Sequence, residues 1–175
     1  MPFFWQTIGT ATISGSHSFI AGDLMNNATI TSSATYRLTY NLAANPPTGP
    51  IQFTVRFNAD SGANYKAYFN GYSQAGLNVG GGVSGATGIP LSVNALPTTM
   101  VDVAGTFVIT TVPGLPNTVK INGDANGQRE TTVPTYEGGD LMGFYSGSAN
   151  LSSIQVVCAS ACSGNLILEK YTNSL

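Results

Sequence analysis

Charge is scarce in this chain of 175 residues. Six Lys plus Arg and eight Asp plus Glu make up only 8% of the sequence, where about 25% is usual, and the net charge is −2. Binding of nucleic acid needs basic clusters that neutralise phosphates, so the composition disfavours it. Disorder combines high charge with low hydrophobicity, and the 42% hydrophobic content disfavours that as well. Few charges also mean little self-repulsion, which favours association with other protein.

Histidine, cysteine and long apolar runs are scarce too. His17 is the only histidine, so a Ser or Cys nucleophile has a single candidate base. Cys158 and Cys162 are too few for a metal site, and their spacing allows either a disulfide across a short turn or two free, partly buried thiols. No apolar run approaches the roughly 20 residues of a membrane-spanning helix. The apolar start Met1–Trp5 lacks the basic region of a signal peptide. We therefore expect no membrane partner and either assembly in the cytoplasm or export by a route that the sequence does not encode.

Short segments of alternating apolar and polar residues dominate what is present. The clearest is 35–42, where Tyr36, Leu38, Tyr40 and Leu42 share one face, as in an antiparallel strand with one buried face. Turn residues recur about every 8–12 residues, a spacing typical of β-sandwiches and jelly rolls. The sequence therefore predicts an all-β fold, an antiparallel jelly-roll-like β-sandwich of about ten short strands.

Composition also predicts where the chain turns. Gly123–Gly127 is predicted to be the loop of a hairpin between strands at 118–122 and 128–133. A second hairpin is predicted around 146–150. The run Gly80–Gly82 lacks the Lys and the following helix of a phosphate-binding loop, so a strand followed by a flexible or bulged loop is the better interpretation.

The eight carboxylates are the remaining candidates for chemistry. Most lie in predicted turns, whereas Asp102 lies within a β-rich segment. Glu137 and Asp140 are the closest pair and could serve a glycosidase, but a turn explains them equally well. A calcium site needs several oxygens from one loop, and the segments 58–64 and 124–126 each offer one carboxylate. We predict no enzymatic activity, no cofactor and no metal site.

The segment 51–65 is the most informative part of the chain. It is predicted to be a strand, a turn and a second strand, with Phe57 and Tyr65 in the core. Four residues are predicted to structure the turn: Asn58, Asp60, Gly62 and Asn64. The Asn and Asp side chains accept hydrogen bonds from nearby backbone N–H groups, and glycine supplies a positive φ.

This turn resembles the "RFN-G-D-x-G-x-NY" hairpin of small bacteriophage virion proteins that have a jelly-roll domain. The match is strongest over Val55–Tyr65, although Ala59 stands where the family usually has glycine. Asn150–Val156 is similar to the family's "ISSITL" strand, and Leu166–Tyr171 is similar to its closing "LYGIK" strand. The middle of the chain, 74–97, shows little resemblance.

The resemblance implies a non-enzymatic structural protein of a bacteriophage virion, assembled in the host cytoplasm. Family members are modules of tails, fibres and capsid decorations and are usually trimeric, so the implied partners are other virion proteins and further copies of the chain, as a homotrimer. Because almost all of this chain is one globule, a capsid decoration, cement or head-fibre subunit is expected. The alternatives are a receptor-binding tail module that recognises a host-surface glycan and, more remotely, an enzyme acting on surface polysaccharide.

Three bulky aromatic residues stand next to the N-terminus. Phe3, Phe4 and Trp5 are predicted to belong to an aromatic arm over residues 1–6, ahead of a single jelly-roll domain over 7–175. Exposed apolar surface costs roughly 25 cal/mol per Å², so the arm should pack either on another virion protein as an anchor or on its own domain.

Two tyrosines are predicted to lie on the face of their strand opposite to the core. Tyr68 and Tyr72 alternate with Tyr65 and Phe69 in the strand at 64–72. They could bind a glycan by stacking, contact another subunit, or belong to a strand that is buried on both faces.

Overall fold

A computed structural model describes residues 3–20, 30–44, 51–74, 78–91, 100–128 and 136–173. The side chains of Phe3 and His17, and the predicted strand beyond Gln128, lie outside what it describes. Ten strands are present in these residues: β1 (Phe3–Ile20), β2 (Tyr36–Ala44), β3 (Phe53–Phe57), β4 (Tyr65–Ser73), β5 (Asn78–Ala86), β6 (Ile89–Pro90), β7 (Asp102–Val112), β8 (Leu115–Gln128), β9 (Tyr136–Ser146) and β10 (Ile154–Asn173). The described residues hold no helix of the length and apolarity that crossing a bilayer requires. The predicted all-β fold is confirmed, although several strands are longer than expected.

The ten strands form one antiparallel sheet that folds over on itself. Its hydrogen-bonded order is β5-β4-β9-β8-β7-β2-β10-β3-β6, and β1 is added on β10. β10 connects the two parts of the sheet, because residues 162–170 pair with β2 whereas residues 154–158 pair with β3. The sheet is nearly closed: Arg56 on β3 donates from Nε to the Thr87 carbonyl oxygen beside β5, at 2.8 Å. This architecture is the jelly-roll-like sandwich that the alternation predicts.

Alternation along the strands also produces the core. Tyr36, Leu38, Tyr40 and Leu42 are all buried on β2, as predicted. The inward faces of β3 and β4 are also as predicted, with these residues buried: Phe53, Val55, Phe57, Tyr65, Ala67 and Phe69. The buried tyrosine hydroxyls find backbone partners, which is the usual requirement for burying them; the Thr31 N–H, for example, donates to the Tyr36 hydroxyl at 2.6 Å.

The segment 51–65 contains the two predicted strands, but they do not pair as a hairpin. β3 pairs with β10 and β6, and β4 pairs with β5 and β9. The chain instead crosses between the two layers, so that Phe57 and Tyr65 meet face to face inside the sandwich with ring centroids 6.4 Å apart. We call residues 58–64 the arch. The prediction of a hairpin fails here because alternation defines which face is buried and not which strand is the neighbour.

The loop predicted at Gly123–Gly127 is wrong, because β8 runs through it. These residues pair with β7 on one side and β9 on the other. The glycines are needed for close packing: a Cβ on Gly123 would lie 2.7 Å from a ring carbon of Phe107, and one on Gly127 would lie 2.8 Å from the methyl carbon of Met100. The Gly80–Gly82 run likewise lies inside β5, paired with β4.

The hairpin predicted around 146–150 is wrong as well. β9 pairs with β4 and β8, whereas β10 pairs with β1, β2 and β3. The two strands predicted at 151–157 and 165–171 are the two ends of the single strand β10. A disulfide between Cys158 and Cys162 joins them, so of the two alternatives for these cysteines the structure has the bridged one.

The aromatic N-terminus is part of the sheet. β1 begins at Phe3 and not at the predicted Thr7, and Phe3, Phe4 and Trp5 pair with Asn173, Thr172 and Tyr171 of β10. The backbone shows no break between residues 6 and 7, where the arm and the domain were predicted to meet. Trp5 therefore packs on its own domain, while Phe4 is 45% exposed.

Candidate functional site

The arch is held by hydrogen bonds among its own residues. Asp60 accepts from the Gly62 N–H at 2.7 Å through one carboxylate oxygen and from the Asn64 amide at 2.8 Å through the other. These two donors, Asn64 first, lower the pKa of Asp60 below its usual value. Positive φ is found at Asn58 (55°) and Ala59 (53°) and not at Gly62, which corrects the predicted place of the left-handed turn.

Asn58 ties the arch to the segment that precedes β10. Its side-chain oxygen accepts from the N–H groups of Ser152 at 2.8 Å and Ser153 at 3.2 Å, and from the Ser152 hydroxyl. Its amide donates to the carbonyl oxygens of Ala149 and Asn150. Asn58, Asp60 and Asn64 thus spend their side-chain polar groups on bonds within the protein.

Three aromatic rings that pack on one another lie next to the arch: Phe57, Tyr65 and Tyr145. The Tyr65 hydroxyl accepts from the Phe57 N–H at 3.0 Å and lies 2.9 Å from the Asp60 carbonyl oxygen. The Tyr145 ring packs on Tyr65, with centroids 4.8 Å apart. Burial raises the pKa of both hydroxyls, and the Asp60 carboxylate adds to the effect. Both tyrosines are therefore neutral structural groups at physiological pH.

The aromatic residues near the N-terminus form a cluster on the outer face of the sheet. The Trp5 ring packs on Tyr171 with centroids 5.2 Å apart, and the Arg37 guanidinium lies 4.6 Å from the Trp5 ring centroid. Arg37 also donates from Nε to a Glu169 carboxylate oxygen at 2.5 Å, which raises the pKa of the arginine. Trp5 is thus engaged by its own domain, and Phe4 is the exposed ring of this end of β1.

Tyr68 and Tyr72 lie on the outer face of β4, opposite to the core, as predicted. Their side chains are 51% and 66% exposed. Burial of β4 on both faces, one of the predicted alternatives, is therefore excluded. Four residues along a strand span about 13 Å, so the two rings are well separated, with Asn70 between them.

A row of polar side chains crosses the sheet between the two tyrosines. Asn70 on β4 is paired with Asp140 on β9, and Asp140 is paired directly with Asp124 on β8. All three are exposed. We call these three residues the polar row. Within the part of the chain that the structure describes, the side chains of this row make one weak hydrogen bond, from an Asn126 amide to an Asp124 carboxylate oxygen at 3.4 Å.

The outer surface has a depression where the polar row meets Tyr68. An open depression of about 540 Å³ is lined by the polar row and by Tyr68, Asn122, Gly123, Leu141 and Met142. The glycine run of β5 borders Tyr68 and Asn70, because Gly82 and Gly80 on β5 are the cross-strand partners of these two residues. The absence of side chains on that border keeps the outer surface low beside the two residues. We call this feature the outer depression.

The two closest carboxylates in the sequence form neither a glycosidase pair nor the turn that was expected there, because both lie in β9. Glu137 and Asp140 are three residues apart on one strand and therefore point to opposite faces; Glu137 is buried and Asp140 is exposed. Asp102 accepts from the Gln128 N–H at 3.1 Å and links β7 to β8. The described part of the chain contains no group of three or more His, Cys, Asp or Glu side chains that could hold a metal ion.

Sequence analysis missed the residues that share the outer depression with Tyr68. Asp124 and Asn122 were assigned to a loop and its border, although Lys120, Asn122, Asp124 and Asn126 alternate with Ile121 and small residues. That polar alternation over 120–126 was the available signal for a strand with one exposed face. The pairing of Asp124 with Asp140 had no signal at all, because it depends on strand order.

Comparison with known proteins adds no relative from which a function could be taken. No family model matches the chain, and no curated protein matches it significantly. Among solved structures, it aligns with a chain of infectious bursal disease virus, Gt strain, at 9% identity and a TM-score of 0.13. The alignment covers 97% of this chain and 41% of the viral chain. A TM-score this low carries no argument about fold or function.

Proposed function

We propose that this protein is a non-enzymatic structural protein of a bacteriophage virion: a capsid decoration, cement or head-fibre subunit assembled in the host cytoplasm. The observation that carries the proposal is the resemblance over Val55–Tyr65 together with what these residues do. Asn58 binds the segment before β10, and Asp60 and Asn64 bind each other. The motif that resembles the family therefore stabilises the fold, and a stabilising motif is what a family of structural modules would have in common.

The distribution of charge also supports assembly with other protein. On the outer face of β1, β10 and β2, the charged residues among those described are Arg37 and Glu169, and these two neutralise each other. The rest of that face presents uncharged side chains, among them Thr, Asn, Ile, Trp and Tyr, which cost less to desolvate than charged side chains when a partner covers them. A face of this kind suits protein–protein contact better than it suits chemistry.

The copy number in purified particles tests the proposal. We expect quantitative mass spectrometry of gradient-purified phage to find this chain in high copy, comparable with the major capsid protein. A few copies per particle would instead place it in the tail. Its absence from the particles would overturn the proposal of a virion protein.

The role of the N-terminal aromatic residues as an anchor can be tested separately. Phe4 is 45% exposed, and so is Phe144 on β9, which makes Phe144 a matched control. We expect Phe4→Ser to lower the number of copies per particle and Phe144→Ser to leave it unchanged. Full occupancy with Phe4→Ser would refute the anchor without touching the proposed structural function.

The second candidate is a receptor-binding tail module that recognises a host-surface glycan. The observation that favours it is the exposure of Tyr68 and Tyr72 on one face with polar side chains between them. We expect purified protein to bind host cells and the double variant Tyr68→Ala, Tyr72→Ala to lose that binding. Equal binding by both proteins would count against these residues as the receptor site.

A further inference from the structure

The outer depression combines the two kinds of group that saccharides need. Tyr68 offers an exposed aromatic face to the C–H side of a sugar ring. Asp124 and Asp140 offer carboxylate oxygens, which only accept hydrogen bonds, and Asn70 and Asn122 offer amides that both donate and accept. Neighbouring sugar hydroxyls can satisfy both kinds, since each hydroxyl donates one bond and accepts others.

The two carboxylates of the polar row destabilise the folded state. Asp124 and Asp140 are directly opposite each other on neighbouring strands, and like charges in that position are destabilising. No described side chain donates a hydrogen bond to Asp140, whereas the other paired carboxylates, Asp60 and Glu169, are satisfied within the protein. Two adjacent carboxylates at the centre of a sheet face, Asp140 without a described donor and Asp124 with only the weak contact from Asn126, are available to a ligand that donates.

The local charge selects among ligands. Among the described residues, the nearest cations on this face of β4 and β8 are Lys66 and Lys120. Both are in register with Phe144, which lies four residues from Asp140 along β9. Four residues correspond to about 13 Å, more than the screening length of about 8 Å in physiological salt. The Lys120 ammonium is moreover placed over the Phe144 ring, 6.0 Å from its centroid. The polar row is therefore locally anionic and repels an acidic sugar placed beside Asp124 and Asp140.

The dimensions favour an oligosaccharide over a single sugar. Tyr68 and Tyr72 are about 13 Å apart along β4, and the polar row crosses between them over about 10 Å, two strand spacings. A ligand lying along β4 would stack on a tyrosine at each end and reach the polar row with its middle. We infer that this face of β4, β9 and β8 binds a neutral oligosaccharide, held in the outer depression by Tyr68 through stacking and by Asp124, Asp140 and Asn70 through hydrogen bonds. Beyond the depression, Tyr72 stacks on the far end of the ligand. This inference rests on the receptor-binding function proposed above.

The test uses the purified full chain with defined trisaccharides. Saturation-transfer NMR and titration are run with neutral hexose and N-acetylhexosamine trisaccharides and with their sialylated and uronic-acid counterparts. We expect binding of neutral members only. Asp140→Asn should lose about tenfold or more in affinity, because a hydrogen bond to a charged group is among the strong ones. Tyr68→Ala should lose about tenfold or more as well, because it removes the ring on which the sugar stacks. Phe144→Ala, an exposed ring on β9 outside the depression, should bind normally.

Every other outcome overturns the inference, and cell binding measured in parallel shows what else fails. Preference for acidic trisaccharides, or unchanged affinity in Asp140→Asn and Tyr68→Ala, rejects the polar row as the site. Cell binding without binding of any trisaccharide rejects the saccharide ligand while leaving a receptor function. Loss of both in the unaltered protein rejects the inference and the receptor function together. All the substituted side chains are exposed, so circular dichroism should report an unchanged fold.

Discussion

Ala59 holds a backbone conformation that residues with a Cβ rarely adopt. Its φ is 53°, in the left-handed region, where an L-residue is destabilised by roughly 1–2 kcal/mol. Glycine removes this strain but adds freedom to the unfolded chain, which offsets part of the gain. We expect Ala59→Gly to raise the free energy of unfolding by about 0.5–1 kcal/mol, measured by urea denaturation.

Ala63 provides the matched control for that prediction. It is an exposed alanine at the other end of the arch, and its φ is not positive. Ala63→Gly should therefore leave stability unchanged or lower it slightly. If Ala59→Gly proved as destabilising as Ala63→Gly, relief of strain would be excluded as the dominant effect.

Asp60 should make stability depend on pH in the acid range. The amide of Asn64 and the N–H of Gly62 hold its pKa below the usual value in the folded state. A lowered folded pKa contributes stability that is present above the unfolded pKa of about 3.9 and is lost as the pH falls through the folded value. We expect Asp60→Asn to be less stable than the unaltered protein at neutral pH, and the difference to shrink in strong acid.

Asn64→Ala is the companion variant for the acid range. Without the amide of Asn64, the pKa of Asp60 should rise, so stability should begin to fall at a higher pH than in the unaltered protein. Unfolding free energies from denaturant titrations at a series of pH values provide the comparison. A constant difference between Asp60→Asn and the unaltered protein from neutral pH to strong acid would contradict the assigned role.

At the scale of the strands, glycine in the middle of β8 has a packing role. A Cβ on Gly123 would meet the backbone at Thr106 and the ring of Phe107, and backbone cannot give way as a flexible side chain can. Overpacking of this kind typically costs 1–3 kcal/mol, so we expect Gly123→Ala to lower the free energy of unfolding by about that amount. A true loop at Gly123–Gly127 would tolerate the change.

Gly82 in β5 is the control for the strand position. A Cβ there would have only ordinary contacts, the nearest at 3.5 Å from the Ala67 carbonyl oxygen. Gly82→Ala should be neutral or slightly stabilising, because alanine has less freedom to lose on folding. Thermal unfolding of both variants decides the matter, and equal losses at the two sites would rule out close packing as the cause.

The disulfide fixes the place where β10 changes partner. Cys162 pairs with Ala44 of β2, and Cys158 pairs with Phe53 of β3. The loop that the bridge closes is short, so the chain-entropy estimate of its stabilisation is about 2 kcal/mol. We expect the double variant Cys158→Ala, Cys162→Ala to lose roughly that much in urea denaturation, and reductant to affect only the unaltered protein. Equal stability with and without reductant would contradict this.

The elements show how far sequence alone could reach. Alternation identified β2, β3 and β4 and the buried face of each, because one-sided burial is written into every second residue. Composition failed at Gly123–Gly127, because glycine there makes room for Phe107 and is not a sign of a turn. Strand order has no local signal, so the arch, the continuity of β10 and the pairing of Asp124 with Asp140 could not be predicted from the sequence.

At the scale of the whole molecule, charge is divided between two halves of the outer face. The half formed by β4, β9 and β8 carries Lys66, Lys120, Asp124 and Asp140, all exposed. The half formed by β2, β10 and β1 carries the paired Arg37 and Glu169 among its described outward residues. Uncharged surface costs less free energy to desolvate than charged surface when another protein covers it. We therefore expect copies of the chain to contact each other through the second half.

Self-association through that second half would leave the outer depression open to a ligand. Ile167 lies near its middle, 38% exposed, and Met142 is a similarly exposed apolar residue on the charged half. We expect light scattering after size exclusion to give the mass of a trimer that is insensitive to salt, because few charges contribute. Ile167→Lys should shift the mass towards the monomer, since it buries an unpaired charge in the contact. Met142→Lys should not. A trimer that survives Ile167→Lys but dissociates with Met142→Lys would place the contact over the depression instead, and would exclude a glycan there in the assembled protein.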